Sequence, residues 1–208
     1  MLQAWHNGDL GGAVWTVLES AQSGYVLLES NGAICRTTPK ADRYLARNDG
    51  LASIQGKICG GRDSITRRLM SMIEQTAGAA DGPRSHASSL VVPRPSGARG
   101  YFVSFLPVEH RDPVALHGVM LVLMSVADPS DELTISEAHL RDLFGLNRSE
   151  ARVANGLLNG RDLKQIAAEL RIGICTVRSY LQQVFDKTET NRQSELVRVL
   201  FQAVGYRA

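Results

Sequence analysis

Two amphipathic helical patterns lie between residues 162 and 188 with only residues 171–173 between them, and this junction restricts the fold more than any other feature of the chain. In the first pattern, Asp162 followed three residues later by Gln165 has the form of a capping box, in which each side chain bonds the other's backbone N–H. Leu163, Ile166, Ala167 and Leu170 then recur at i, i+3, i+4 and i+7, the spacing of one helical face. In the second pattern Ile174, Val177, Leu181, Val184 and Phe185 fall on one side, which leaves Cys175, Arg178, Ser179 and Gln182 on the other. Two helices joined by so short a turn make a helix-turn-helix.

The chemistry of that outer face implies nucleic-acid reading. An α-helix fits the major groove of duplex DNA, where arginine pairs bidentately with guanine, glutamine with adenine, and serine with either. The plainer alternative is a solvated face with no partner. Charge argues against it: residues 147–208 hold ten Lys/Arg against six Asp/Glu, whereas residues 1–146 hold thirteen against fifteen. The basic excess therefore sits with the helix-turn-helix, where phosphates would be met.

The flanking residues extend the pattern into a family resemblance. Glu150 and Ala151 in an opening helix, Gly160 closing it, then Ile166, Ala167, Thr176, Val177, Arg178 and Lys187 stand at the positions typical of the C-terminal DNA-binding domain of LuxR-type transcriptional regulators. Phe144, Gly145 and Leu146 ahead, and Thr188, Arg192, Gln193, Leu196 and Val197 behind, complete the likeness over residues 144–200. The resemblance implies a four-helix domain whose recognition helix spans about residues 174–188. It implies base contacts from Arg178, Ser179 and Gln182, and phosphate contacts from Lys164, Thr176, Lys187 and Arg192, which fix register without reading sequence. A last helix with Leu196, Val197, Leu200, Phe201 and Val204 on one stripe would pair with a second copy, so that a homodimer reads a near-palindrome in double-stranded DNA. Three positions depart from the pattern: Arg171 stands where the turn usually has glycine, Gly173 where a serine usually caps the second helix, and Glu189 where glycine usually follows it. Left-handed backbone at a non-glycine residue costs on the order of 1 kcal/mol, so a looser turn is expected.

The front of the chain reads as an α+β domain. A helical pattern over residues 10–20 precedes a strand at 24–28, a polar turn at 29–32 and a second strand at 33–37. A short helix at 40–46, a loop through Gly50 and an amphipathic helix over 64–75 follow, and then three strands at 87–92, 101–108 and 117–126. That order, together with GYVLLESNGAICRTTPKADRYL, resembles the opening of a PAS domain, with Thr38 where asparagine is common. The expected division is a PAS-like sensory or dimerisation domain at 1–127, a linker helix at 128–143 and the helix-turn-helix domain at 144–208. The resemblance implies a pocket for an unidentified small molecule or a partner, or a front domain that only dimerises and binds no ligand. Tyr25, Leu27, Tyr44, Phe102 and Phe105 are pocket candidates, although alternating apolar strand residues usually form plain core.

Other signals carry less. Residues 50–58 approach a phosphate-binding loop but have one residue too many and Ile58 where magnesium needs a hydroxyl, so they are read as a glycine-flanked loop. Asn147-Arg148-Ser149 matches a glycosylation sequon, yet Asn147 with Glu150 reads better as a capping box. No apolar run reaches membrane length and MLQAWHNGDL has no signal core, so a soluble cytoplasmic protein without a membrane partner is expected. His6, His86, His110, His117 and His139 and the three cysteines show no metal-ligand spacing, and neither a metal nor a cofactor is expected. Cys175, in the first turn of the recognition helix, is the one candidate redox residue, since an adduct there would obstruct the groove; a small residue tolerated beside DNA is the simpler account. No nucleophile elbow or paired catalytic carboxylates are visible, so the chain is not read as an enzyme.

Overall fold

The computed structural model describes residues 9–78, 88–110 and 119–204. The chain divides into two compact units, residues 1–131 and 132–208.

In the first unit α1 (Asp9–Ser20) leads into the hairpin β1 (Gly24–Leu28) and β2 (Ile34–Thr37). The turn between them is closed by the Asn31 Oδ1, which accepts the Ala33 N–H at 2.8 Å. Thr38 is wholly buried and caps α2 (Pro39–Ala46): its hydroxyl oxygen accepts from the N–H of Tyr25 and, more weakly, of Ala41. Pro39 occupies the first turn, where its missing N–H costs nothing. Residues 51–60 correct the sequence reading. The glycine-flanked loop is a hairpin of β3 (Leu51–Ile54) and β4 (Lys57–Gly60), turned by Gln55 and Gly56, both at positive φ as a type I′ turn requires. The helix α3 (Asp63–Ala77) and the strands β5 (Ser88–Val92), β6 (Tyr101–His110) and β7 (Val119–Ala127) complete the unit.

The five-stranded sheet is antiparallel throughout, in the order β2-β1-β7-β6-β5, which sets the first strand beside the last. This is the strand order of a PAS domain, the fold that the sequence resembles. Period-2 alternation sends Val26, Leu28, Val92, Tyr101, Val103, Phe105, Val122, Met124 and Val126 to one face, where they pack with Tyr44, Leu51, Ile58, Leu69 and Ile73. On the other face Trp15 of α1 covers Leu27 and Leu121. Of the five pocket candidates, Tyr44 and Phe105 are core, Leu27 lies under Trp15, Tyr25 is half-buried, and Phe102 is 54% exposed on the outer face. Residues 87, 117 and 118, expected in strands, and His6, His86 and His117 lie outside the described residues.

Where β7 ends, the chain enters a network of charges. Asp128, almost fully buried, accepts from Arg94 at 2.8 Å and Arg47 at 3.1 Å, and Arg94 also reaches Asp49 at 2.7 Å. Asp131 pairs with Lys40 at 3.0 Å and accepts the Tyr44 hydroxyl. Burial and this carboxylate push the Tyr44 hydroxyl well above the usual phenol range.

The second unit is all helical: α4 (Glu137–Phe144), α5 (Arg148–Leu158), α6 (Leu163–Leu170), α7 (Ile174–Thr188) and α8 (Gln193–Val204). Its core gathers Val153, Ala154, Leu157, Ile166, Val177, Val184, Leu196 and Leu200 from four of these helices. Each of the valine, leucine and isoleucine side chains contributes roughly 1.5–3 kcal/mol by leaving water. Of residues 128–143, read from sequence as a linker helix, residues 132–143 fall within this unit. Ile135 and Leu140 are buried in its core, and α4 ends at Gly145 in a left-handed cap. Gly156 lets α6 approach α5 closely, since a Cβ there would lie 2.8 Å from Ile166 Cγ1.

Candidate nucleic-acid interface

The helix-turn-helix is set by local bonds that its sequence specifies. Asp162 and Gln165 form the expected capping box at the start of α6, with both bonds at 2.8 Å. At its end the Ile172 N–H donates to the Ala167 carbonyl at 3.1 Å, a Schellman closure with Arg171 in the left-handed region at φ 55°. The turn thus keeps the geometry for which glycine would be chosen, with arginine in the strained position. Gly173 caps α7 by backbone alone, with no side-chain bond. The far end of α7 repeats the device: Glu189 sits at φ 53° and the Thr190 N–H reaches the Phe185 carbonyl at 3.0 Å.

Held this way, α7 buries Val177, Val184 and Thr188 and exposes Cys175, Thr176, Arg178, Ser179, Gln182, Gln183 and Asp186. The expected base-reading residues therefore share one solvent-facing surface. Among the described residues Arg178 has no hydrogen bond or ion pair, so its guanidinium is uncommitted. The Ser179 hydroxyl donates to the Cys175 carbonyl at 3.2 Å, which leaves its oxygen to accept. Gln182 donates from Nε2 to Asp186 Oδ1 at 2.9 Å; a carboxylate only accepts, so the amide oxygen is turned away from Asp186. This pairing one turn along the same face went unread in the sequence, although an i, i+4 Gln–Asp spacing signals it.

The four expected phosphate contacts divide. Lys164, Thr176 and Arg192 are exposed and, among the described residues, unpaired. Lys187 is committed: its Nζ lies 2.7 Å from Glu150 Oε2 and 3.1 Å from the Gly145 carbonyl. Glu150 is nearly buried and also accepts the Asn147 N–H and side-chain amide in the capping box that opens α5. Lys187 thus ties the end of α7 to the start of α5. Cys175 is exposed on the outer face with Arg178.

These caps, turns and exposed faces coincide with a known family. Residues 145–200 match the bacterial regulatory proteins of the luxR family, represented by GerE. Residues 145–200 of the helical unit are a LuxR-family domain. Such a domain places DNA binding and transcription regulation in this part of the chain. No curated protein matches the chain. Among solved structures, the phage VqmA–DPO complex shares 17% identity, covering 97% of this chain and 94% of that one, with a TM-score of 0.37. The Vibrio cholerae VqmA–ligand–DNA complex shares 16% identity over 93% and 88%, with a TM-score of 0.34. The PAS domain of Bordetella pertussis BvgS shares 16% identity over 67% and 97%, with a TM-score of 0.39. These scores fall below 0.5, and the reading of the sheet rests on its strand order. No described helix is long and apolar enough to cross a membrane.

Proposed function

We propose that the chain is a sequence-specific transcriptional regulator in which α7 enters the major groove of double-stranded DNA. Arg178 and Gln182 read base edges, Ser179 accepts from them, and Lys164, Thr176 and Arg192 contact phosphates on either side. The observation that carries this reading is the exposed guanidinium of Arg178, without a partner among the described residues, on the outer face of a capped helix within a LuxR-family domain. Lys187 serves the fold first, because two of its ammonium's three donors are taken by Glu150 and Gly145, and the third is what it offers to a phosphate. A homodimer is proposed through α8, where Phe201 is 62% exposed beyond the half-buried Val197 and Val204. An unsupported phenylalanine on a terminal helix suits a two-fold contact, which would read two half-sites.

The test is selection of bound duplexes from a random library by the full-length protein, in parallel with Arg178→Ala. Enrichment of a paired half-site, relaxed at one base pair in the variant, is the expected result. Binding with no enriched sequence and a steep loss with salt would refute base reading.

For the N-terminal unit two readings remain in play: a sensor of a small molecule or partner, and a module that only dimerises. The fully buried Tyr44, Tyr101, Phe105 and Met124, which fill the space between sheet and helices, favour the second. A thermal-shift screen separates the two, since a ligand for the first reading raises the unfolding temperature.

A further inference from the structure

Asn155 lies in the interior of α5, where asparagine is a poor helix former because its amide competes for backbone bonds, and Asn159 ends the helix four residues on. Both amides are committed to main chain. Asn155 accepts the Ile135 N–H at 2.9 Å and donates to the Ile135 carbonyl at 2.9 Å. Asn159 accepts the Leu133 N–H at 2.8 Å and donates to the Leu133 carbonyl at 2.7 Å, with its second hydrogen on the Asn155 carbonyl at 2.8 Å. Alternate residues of an extended segment thus have both backbone groups satisfied, as a neighbouring strand would satisfy them. The spacings agree: four helical residues rise about 6 Å and two extended residues about 6.6 Å. Each amide oxygen meets a donor and each amide nitrogen an acceptor, so the orientation of both is forced. Ile135 meanwhile buries its side chain in the helical core, with Leu133 packed against it, while Thr134 stays exposed.

We propose that α5 carries a main-chain binding site whose occupant is the connector, residues 133–135, and that the N-terminal unit acts on the LuxR-family domain through it. Glu132 is paired with Arg161 of the helical unit, and the residue before it, Asp131, is held by Lys40 and Tyr44 of the N-terminal unit. Consecutive residues are therefore held by different units. What is regulated rests on the DNA-binding reading above; the site itself does not.

Amide exchange on the full-length protein tests the site. Leu133 and Ile135 are expected to be protected about tenfold or more over Thr134. Asn155→Ala is expected to expose Ile135, and Asn159→Ala to expose Leu133, with Val177 and Val184 still protected as proof of a folded domain. Fast exchange across 133–135 in the parent protein, or protection unchanged in both variants, would overturn the site. For regulation, the double variant is expected to shift the Kd for the selected duplex by about threefold or more with an unaltered salt slope, because no phosphate contact is removed. An unchanged Kd would refute the regulatory role. If the parent protein selects no duplex, the DNA reading fails while the exchange pattern still decides the site.

Discussion

Lys164 and Lys187 look alike in the sequence, and the fold separates them by what holds their charge. Lys187→Met would leave the nearly buried Glu150 with only its Asn147 bonds; since Lys187 is itself about one-third exposed, a loss of about 1–2 kcal/mol is expected. Lys164→Ala is expected to leave stability unchanged and to lower the salt slope of DNA binding by about one. Urea unfolding and a salt titration of binding check the pair, and exchanged phenotypes would reject the assignment. Arg171 and Glu189 offer a second contrast, because both hold left-handed backbone without glycine. Arg171→Gly is expected to raise stability by roughly 0.5 kcal/mol, the relief of about 1 kcal/mol of strain offset in part by glycine's greater freedom when unfolded. The strained positions were legible from sequence because a cap is local. The pairing of Lys187 was not, since its partner lies far back along the chain.

At the scale of elements, the fit of α5 to α6 depends on Gly156. Alanine there would improve helix propensity by about 1 kcal/mol, but its Cβ would press on buried Ile166, and overpacking of this kind costs about 1–3 kcal/mol. Gly156→Ala is expected to be destabilising on balance; a higher Tm would show that α6 can yield. Elements whose signals lie within a few residues were readable: α6 from Asp162 and Gln165, α5 from Asn147 and Glu150, and the strands from their apolar runs between turn residues. The β3–β4 hairpin escaped because its Gln55-Gly56 turn lacks the usual asparagine or aspartate, and its strands are only four residues each. Phe102 was misplaced for a different reason. Alternation assigns residues to two faces but does not say which face the helices cover.

For the molecule as a whole, the carboxylates of the N-terminal unit set its response to acid. The Ser96 hydroxyl and N–H, with Arg94, hold Asp49 down to about 2. Burial alone would raise Asp131, but bonds from Tyr44 and Lys40 and the nearby Lys40 and Arg47 charges outweigh it and keep it below the usual carboxylate range. A group whose pKa is depressed by folding contributes stability that is complete above its unfolded value, about 4, and is lost as pH falls through the folded value. The N-terminal unit is therefore expected to lose stability from about pH 4 downward towards 2. In Asp131→Asn that slope should be shallower when followed by thermal melts at stepped pH; an identical slope would show that the network does not stabilise the unit.

The bond between Asp131 and Glu132 also determines where this protein can be recombined with others. A graft beginning at residue 145, where the family match starts, would strip Ile135 and Leu140 from the helical core and leave the Asn155 and Asn159 amides facing water. One beginning at Glu132 would bring its own packing and its own hydrogen bonds. A graft that keeps the helical core and its amide bonds whole therefore begins no later than Leu133.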